Sequence, residues 1–259
     1  ARIFKELIGK TPFEYIRLLR LTNAAKKLRD SKTKVIDVAF DFVFDSHEGF
    51  TRAFTKEFGL SPYSYKKNPV PVKYFIPYRL ISLDLTDKKR GVNMAQKQKQ
   101  FIFTQIVERP KRKAIIKRGV KATHYFEYCQ EVGCDIWGIL ESIKEAMFEP
   151  AGFWLPEKLI KSNTSKYVQG VEVPMDYNGG IPEGFDIIEL EPCKMLVFQG
   201  EPFEDKDFEQ AITDVMDSID KFNPDIYGYQ WSDEAPRFQL APLGYRGYIE
   251  ARPIKEIKK

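Results

Sequence analysis

The apolar period of this chain changes once, and that change limits what it can fold into. Over residues 1–67 large apolar side chains recur at the spacing of short amphipathic helices. From Phe101 onward they alternate or run in short blocks, the pattern of strands, interrupted twice by helical stretches. Between these regions lie Pro69, Pro71 and Pro77 and a polar, basic run over 86–100, TDKKRGVNMAQKQKQ, a composition suited to a flexible connection. The expected organisation is a multidomain chain: an all-α segment over 1–67, a partly apolar linker over 68–100, and an α+β domain over 101–259. The stretch YFIPYRLISLDL (74–85) is more apolar than a linker should be and is expected to dock on one of the domains.

Helix boundaries are written in the cap residues. Thr11-Pro12 reads as an N-cap followed by proline at the first helical position. Phe13, Ile16, Leu19, Ala24 and Leu28 then give an apolar face to about Asp30. Thr33 is placed to cap a second helix with Val35, Ile36, Ala39 and Phe40 inward. Ser46 is placed to cap a third, with Phe50, Phe54 and Phe58 on one side and Gly59 ending it. Ser61-Pro62 starts a last short helix.

Beyond residue 100, FIFTQIVE and KAIIKRG read as strand material broken at Pro110, and residues 134–148 as an amphipathic helix. YVQGVEVP (167–174) alternates as a strand. The order recurs: 185–200 as strand, 207–222 as helix, then FQLAPL and YRGYIEARPI as strands. Two strand–helix–strand–strand units of this kind predict an antiparallel sheet with helices on one face and a groove between the halves.

Charge divides along the same line. Residues 1–100 hold 21 Lys+Arg against 10 Asp+Glu, or +11; the remainder holds 20 against 27, or −7, and the two sum to the net +4. A basic segment beside an acidic one implies different partners, with phosphates suited to the basic one. Three cysteines (Cys129, Cys134, Cys193) form no CxxC pair and are expected to be ordinary thiols. Two distant histidines, His47 and His124, leave little for a zinc enzyme or a histidine-based triad. No apolar run is long enough to span a bilayer, and the N-terminus lacks signal-peptide order. A cytoplasmic location is expected.

The segment VIDVAFDFVFDSHEGFTRAFTKEFGLSPYSYKK (35–67) resembles the second helix-turn-helix of AraC/XylS-family regulators. The likeness is carried by Phe44, Ser46, Phe50, Arg52, Phe54, Gly59, Ser61 and Pro62. Upstream, residues 4–28 are similar to the end of that family's first recognition helix and its connecting helix. The resemblance implies that residues 47–56 enter the DNA major groove, with His47, Glu48, Thr51 and Arg52 facing DNA and Ser46 near a phosphate. Double-stranded DNA and RNA polymerase are the implied partners. Val43 stands where the family usually has glycine, which predicts a strained or differently shaped turn. The chain starts partway through the family's first helix-turn-helix, so a further 30–50 or so upstream residues are expected from typical helix sizes.

Residues 101–254 resemble, more loosely, the GyrI-like effector domain of some regulators, through the repeat, DIWGIL, YVQGVEV and GYIEARPI. That implies a small lipophilic ligand, often cationic in this family, in an aromatic groove with one carboxylate, and no cofactor or metal. Glu250 is the expected carboxylate and Glu172 its competitor; Trp137, Tyr248, Trp154, Tyr167 and Trp231 are the expected aromatic walls. Alternation places Tyr248, Glu250 and Arg252 on one strand face and Ile249 and Ala251 on the other. A ligand-responsive transcription regulator, not an enzyme, is thus the expectation; a GyrI-like weak hydrolase or a ligand-scavenging protein is the alternative.

Overall fold

The computed structural model describes residues 2–77 and 101–257; the expected polar linker run over 86–100 lies outside them. The chain forms two compact bodies. Of the described residues, the first comprises 2–77 with 134–146 and 177–184, and the second the remainder.

In the first body, α1 (Arg2–Ile8) precedes the long α2 (Pro12–Asp30), followed by α3 (Val35–Asp41), α4 (His47–Phe58) and α5 (Pro62–Lys67). Three of the four expected caps act as the sequence implies; the fourth does not, since α3 begins after Lys34 without a side-chain cap and Thr33 stands one residue too early. Thr11 and Glu14 form a reciprocal capping box at α2. Ser46 and Ser61 each accept the backbone N–H three residues on, and Gly59 closes α4 in the left-handed conformation, φ 77°. The core joins Leu21, Ala24, Ala25 and Leu28 of α2 to Val38 and Ala39 of α3, Phe50 and Phe54 of α4, and Tyr65.

Two expected apolar faces are rotated from their anticipated positions. Phe13 is 86% and Ile16 45% exposed, because α2 meets the core only from Leu21 onward. In α3, Ile36 and Phe40 sit four residues apart on the outer side, while Val38 and Ala39 fill the inner one.

Residues 72–75 run as a strap within this body, so the start of the apolar stretch, at Tyr74 and Phe75, docks here; its residues 78–85 lie outside the described ones. The helix expected over 134–148 is the shorter α7 (Ile136–Ser142). The Val72 N–H donates to Ser142 Oγ at 2.8 Å and the Tyr74 N–H to the Gly138 carbonyl at 3.3 Å. Lys26 pairs with Glu141 at 2.8 Å, and Arg29 donates to the Glu141 carbonyl.

The second body is built on a nine-stranded antiparallel sheet. Its strands are β1 (Phe103–Arg109), β2 (Arg112–Arg118), β3 (Ala151–Trp154), β4 (Tyr167–Val173), β5 (Asp186–Leu190), β6 (Cys193–Gln199), β7 (Tyr229–Trp231), β8 (Arg237–Leu240) and β9 (Ile249–Glu256). Helix α6 (Tyr125–Glu131) belongs to its first half and α8 (Phe208–Lys221) to its second. The main strand order is β1-β6-β9-β8-β3-β4-β2-β5, with β7 pairing onto β9. Exchanging β1, β2, β3, β4 with β5, β6, β8, β9 reproduces this order in reverse. The internal repeat is therefore a two-fold about the β8–β3 pair. Each repeat holds two strands before its helix, not one, since 185–200 divides at Glu191-Pro192.

That division is a bend rather than a break. The β1–β6 register (Phe103↔Gln199) and the β2–β5 register (Arg112↔Leu190) are one continuous antiparallel pairing carried past Pro110 and Pro192. Proline supplies no N–H to a ladder and is accommodated at such corners. Because β1 and β2 lie near opposite ends of the strand order but are joined by two residues, the sheet curls on itself. The enclosed face buries Ala114, Ile116, Phe153, Val168, Met195, Phe238 and Ala251. On the other face, Tyr128 of α6 packs edge-on to Tyr167, ring centroids 5.6 Å apart, and Val215 and Ile219 of α8 cluster with Leu196, Phe198 and Tyr248. Both helices thus sit on one face of the sheet.

Neither Cys129 nor Cys134 is a free thiol, which corrects the expectation that they are ordinary ones; Cys193 is free and half-buried. No helix among the described residues is long and apolar enough to cross a membrane.

Candidate nucleic-acid helix and ligand face

Helix α4 divides its side chains sharply. Phe50 and Phe54 are wholly buried, packed edge-to-face with Phe44 and Phe58 respectively, and Phe54 also meets Tyr65 at a tilt. Arg52, Thr55, Lys56 and Glu57 are exposed. His47, Ser46 and Thr51 are half-buried and Glu48 exposed. The Ser46 hydroxyl is engaged as the cap, accepting from the Gly49 N–H at 3.1 Å. The Thr51 hydroxyl is shielded and makes no hydrogen bond. Of the five expected DNA-facing residues, Glu48 and Arg52 are thus the exposed ones. The turn before α4 holds Val43 at φ 62°, a left-handed conformation that β-branched residues adopt only under strain.

On the outer face of the second body's sheet, register places side chains in rows. Phe198, Glu250, Gln239, Gly152 and Gln169 stand side by side across β6, β9, β8, β3 and β4. Arg237, Trp154 and Tyr167 form the next row. Glu250 is 0% exposed. Its Oε2 accepts from the Tyr248 hydroxyl at 3.0 Å, and its Oε1 from Arg252 Nε at 2.9 Å. Arg237 Nε also lies 3.0 Å from Oε1, as an ion pair outside hydrogen-bond geometry. The Arg237 guanidinium covers the Trp154 ring at 3.9 Å. Trp154 packs edge-on to Tyr167 at 4.9 Å and donates its indole N–H to the Thr123 carbonyl. Gln239 links the two tyrosines, donating to Tyr167 and accepting from Tyr248, both at 3.0 Å. Burial, then the Glu250 charge, pushes the Tyr248 hydroxyl well above its usual range, so it stays protonated and donates.

The expected site residues therefore divide. Glu250, Tyr248, Trp154 and Tyr167 come together on this face, with Arg252 beside Glu250 as alternation implies. Glu172 lies on the enclosed face, since it stands opposite Ala114 while Gln169 and Tyr167 point outward. It is held by Arg112 Nε at 2.5 Å and Arg109 at 3.0 Å. Trp231, on β7, packs with Phe198 and Phe222. Trp137 lies on α7 of the first body, half-buried. Arg237, Gln239 and Gln169 were not expected. Alternation of Tyr167 and Gln169 within YVQGVEV was the available signal for one of them; the other two needed the β8–β9 register.

Residues 1–68 match the helix-turn-helix domain family. The segment is 42% identical over 67 residues to the transposon Tn10 TetD protein of Escherichia coli, covering 26% of this chain and 49% of that one. It is 38% identical over 65 residues to the HTH-type transcriptional activator AarP of Providencia stuartii, covering 25% and 48%. An uncharacterized HTH-type transcriptional regulator of Bacillus subtilis, YbfP, is 42% identical over 103 residues, 40% of this chain and 30% of that one. The chain thus spans about half or less of these curated relatives. Among solved structures, SAV2435 bound to tetraphenylphosphonium aligns with a TM-score of 0.40 and 15% identity, covering 59% of this chain and 94% of that one. The EcmrR C-terminal domain aligns with a TM-score of 0.37 and 9% identity, covering 60% and 99%. The N-terminal segment of this chain is a helix-turn-helix domain of the kind found in AraC/XylS-type transcription regulators.

Proposed function

We propose that the chain is a ligand-responsive, sequence-specific DNA-binding transcription regulator. In this reading α4 enters the major groove, and the outer sheet face around Glu250 holds a small lipophilic effector. Double-stranded DNA is the direct partner and RNA polymerase the downstream one. The observation that carries the DNA part is the division of α4: its two phenylalanines anchor the helix, while Arg52 projects from the opposite side in a segment rich in Lys and Arg. Arginine can read guanine bidentately from such a helix. His47, Glu48, Thr51 and the Ser46 end of the helix complete the proposed contact set.

The effector part rests on the aromatic and polar side chains gathered between α6 and α8 on one face. A ligand that prefers one arrangement of the protein would shift DNA affinity by its differential affinity for the two states. The GyrI-like resemblance suggested a cation. Glu250, however, is already matched by two guanidinium groups. The hydrolase alternative finds no support here, since the buried carboxylate is held by arginines and His124 is exposed beside Glu127.

A mobility-shift titration on the promoter recovered by genomic footprinting tests the reading. Binding should weaken steeply with salt, as phosphate contacts require. Arg52→Ala should cost about 1–3 kcal/mol in specific binding at one fixed salt concentration. Equal affinity of variant and wild type would remove Arg52 from the interface.

A further inference from the structure

We propose that the free edge of β1 pairs with the same edge of a second copy of this chain. The two strands run antiparallel about a two-fold axis at Ile106, and the sheets of the two copies become one.

Strand register identifies what the edge offers. Among the described residues β1 pairs with β6 alone and β5 with β2 alone, so these two strands end the sheet. The Gly200 N–H donates to the Tyr248 carbonyl at 2.9 Å. Backbone groups along an antiparallel strand point alternately to its two neighbours. Phe198, Leu196 and Lys194 therefore face β9. The residues between them face β1, where they meet Phe103, Gln105, Val107 and Arg109. The N–H and C=O groups of Thr104, Ile106 and Glu108 are left on the outer side, and all three residues are exposed. A row of unpaired backbone groups is a template for another strand. The two edges differ in how they are guarded. β5 carries Asp186 and Glu189 within five residues, ion-paired with Arg118, Lys161 and Lys111. In β1, residues 103–107 carry no charge and no proline, and Phe103 and Ile106 are 64% and 42% exposed.

The same register selects the occupant. A two-fold axis at Ile106 sets Ile106 against its own counterpart and Thr104 against Glu108 of the second copy. The three outward residues of each strand then each exchange two backbone hydrogen bonds with the residue opposite, and no outward group is left over. Ile106 meets an apolar side chain on the axis. Glu108, which lies 3.6 Å from Lys194, faces a hydroxyl rather than a second carboxylate. Moving the axis to Glu108 would oppose two like charges, which destabilises a strand pair. Pairing β1 with β5 of another copy is head-to-tail and leaves a free edge at each end, so that arrangement does not close. The two-fold pairing closes after one contact.

Sedimentation equilibrium of the whole chain tests this. A single strand pair buries less than the roughly 1,200 Å² at the lower end of standard interfaces, so a dissociation constant on the order of 10 μM is expected. Ile106→Lys and Ile106→Glu each put like charges on the axis and should weaken association about tenfold. An equimolar mixture of these two variants should recover wild-type association, which requires that position 106 face itself. Ile106→Pro removes an outward N–H and should be monomeric, yet melt as wild type in dilute solution. Gln105→Pro removes an N–H that faces β6 and should melt lower. The proposal fails if wild type stays monomeric at about 200 μM, well above the expected constant. It fails equally if Ile106→Pro still dimerises or if the mixed variants stay apart. Slow hydrogen exchange at the Thr104, Ile106 and Glu108 amides of the dilute monomer would place another segment of the same chain on this edge, and would overturn it too.

Discussion

Arg112 of β2 donates its Nε to Glu172 of β4 at 2.5 Å, and both side chains are almost entirely removed from water. The same guanidinium donates to the Pro110 and Glu191 carbonyls, at 3.0 and 3.3 Å. Those two carbonyls belong to the corners where the long paired strands bend, and where proline interrupts the ladder. Glu172 thus orients the arginine that satisfies the corner, and Arg109 supplies it a second cation from β1. Removing one partner of such a buried set leaves uncompensated charge. Glu172→Ala is expected to lower stability by about 3–5 kcal/mol in urea unfolding. A loss under about 1 kcal/mol, the range of a surface ion pair, would show that the corner holds without it.

Val43 offers the opposite sign. Its φ of 62° and 64% exposure mean that the side chain is strained yet buries little. The turn is held by the Val43 N–H to the Phe40 carbonyl at 3.0 Å and the Phe44 N–H to the Ala39 carbonyl at 3.1 Å, neither of which needs the valine side chain. A left-handed non-glycine residue costs about 1–2 kcal/mol, and glycine's extra unfolded-state entropy returns about half of that. Val43→Gly should therefore stabilise the helical body by roughly 0.5–1 kcal/mol, read as a higher urea midpoint with an unchanged slope.

What was legible in the sequence was mostly local. Thr11, Ser46, Gly59 and Ser61 were readable as caps because each satisfies backbone groups within three or four residues. Alternation placed Tyr248, Glu250 and Arg252 together because it needs one strand only. Glu172 and Glu250 could not be assigned to opposite faces in the same way. Their relation passes through β4, β3, β8 and β9, and register across four strands is set by distant pairings. The outward turn of Phe13 and Ile16 was likewise invisible, since it depends on where α3 and α4 reach α2. Pro110 was visible as a break, but only the shared register of β1–β6 and β2–β5 shows it to be a corner.

Acid sensitivity should have a traceable component at Asp186 of β5. Hydrogen bonds from Lys161 and Arg118, at 2.8 and 2.6 Å, hold its carboxyl below the ordinary aspartate value of 3.8. A lowered folded-state pKa stabilises the fold above the unfolded value, and that contribution disappears as pH falls through the folded value. The pair's stabilisation should be present at neutral pH and fade below about pH 4. Asp186→Asn should be less stable than wild type at pH 7, and the two unfolding midpoints should converge toward pH 2. Parallel curves across that range would assign the acid limb to other carboxylates.

The strap over α7 depends on a glycine. A Cβ on Gly138 would lie 2.0 Å from the Tyr74 carbonyl oxygen and 2.9 Å from its carbon, both backbone atoms that cannot swing aside. Tyr74 is buried, shares a hydrogen bond of 2.8 Å between its hydroxyl and that of Tyr65, and packs its ring against Phe58. The next residue fastens the strap to α2: the Phe75 N–H donates to Thr22 Oγ1 at 2.9 Å, and its ring meets Tyr15 at 5.1 Å. Gly138→Ala gains helix propensity of about 1 kcal/mol within α7. Steric displacement of the strap costs more, since overpacking against rigid atoms runs to about 1–3 kcal/mol and the Tyr65–Tyr74 bond is lost with it. The net expectation is destabilisation, concentrated at residues 72–75. Hydrogen exchange at the Val72, Tyr74 and Phe75 amides should rise in the variant while exchange in the β3–β8 pair stays as it was. Unchanged protection at those three amides would mean that α7 shifts to accept the methyl group, and that the close approach at Gly138 is not what seats the strap.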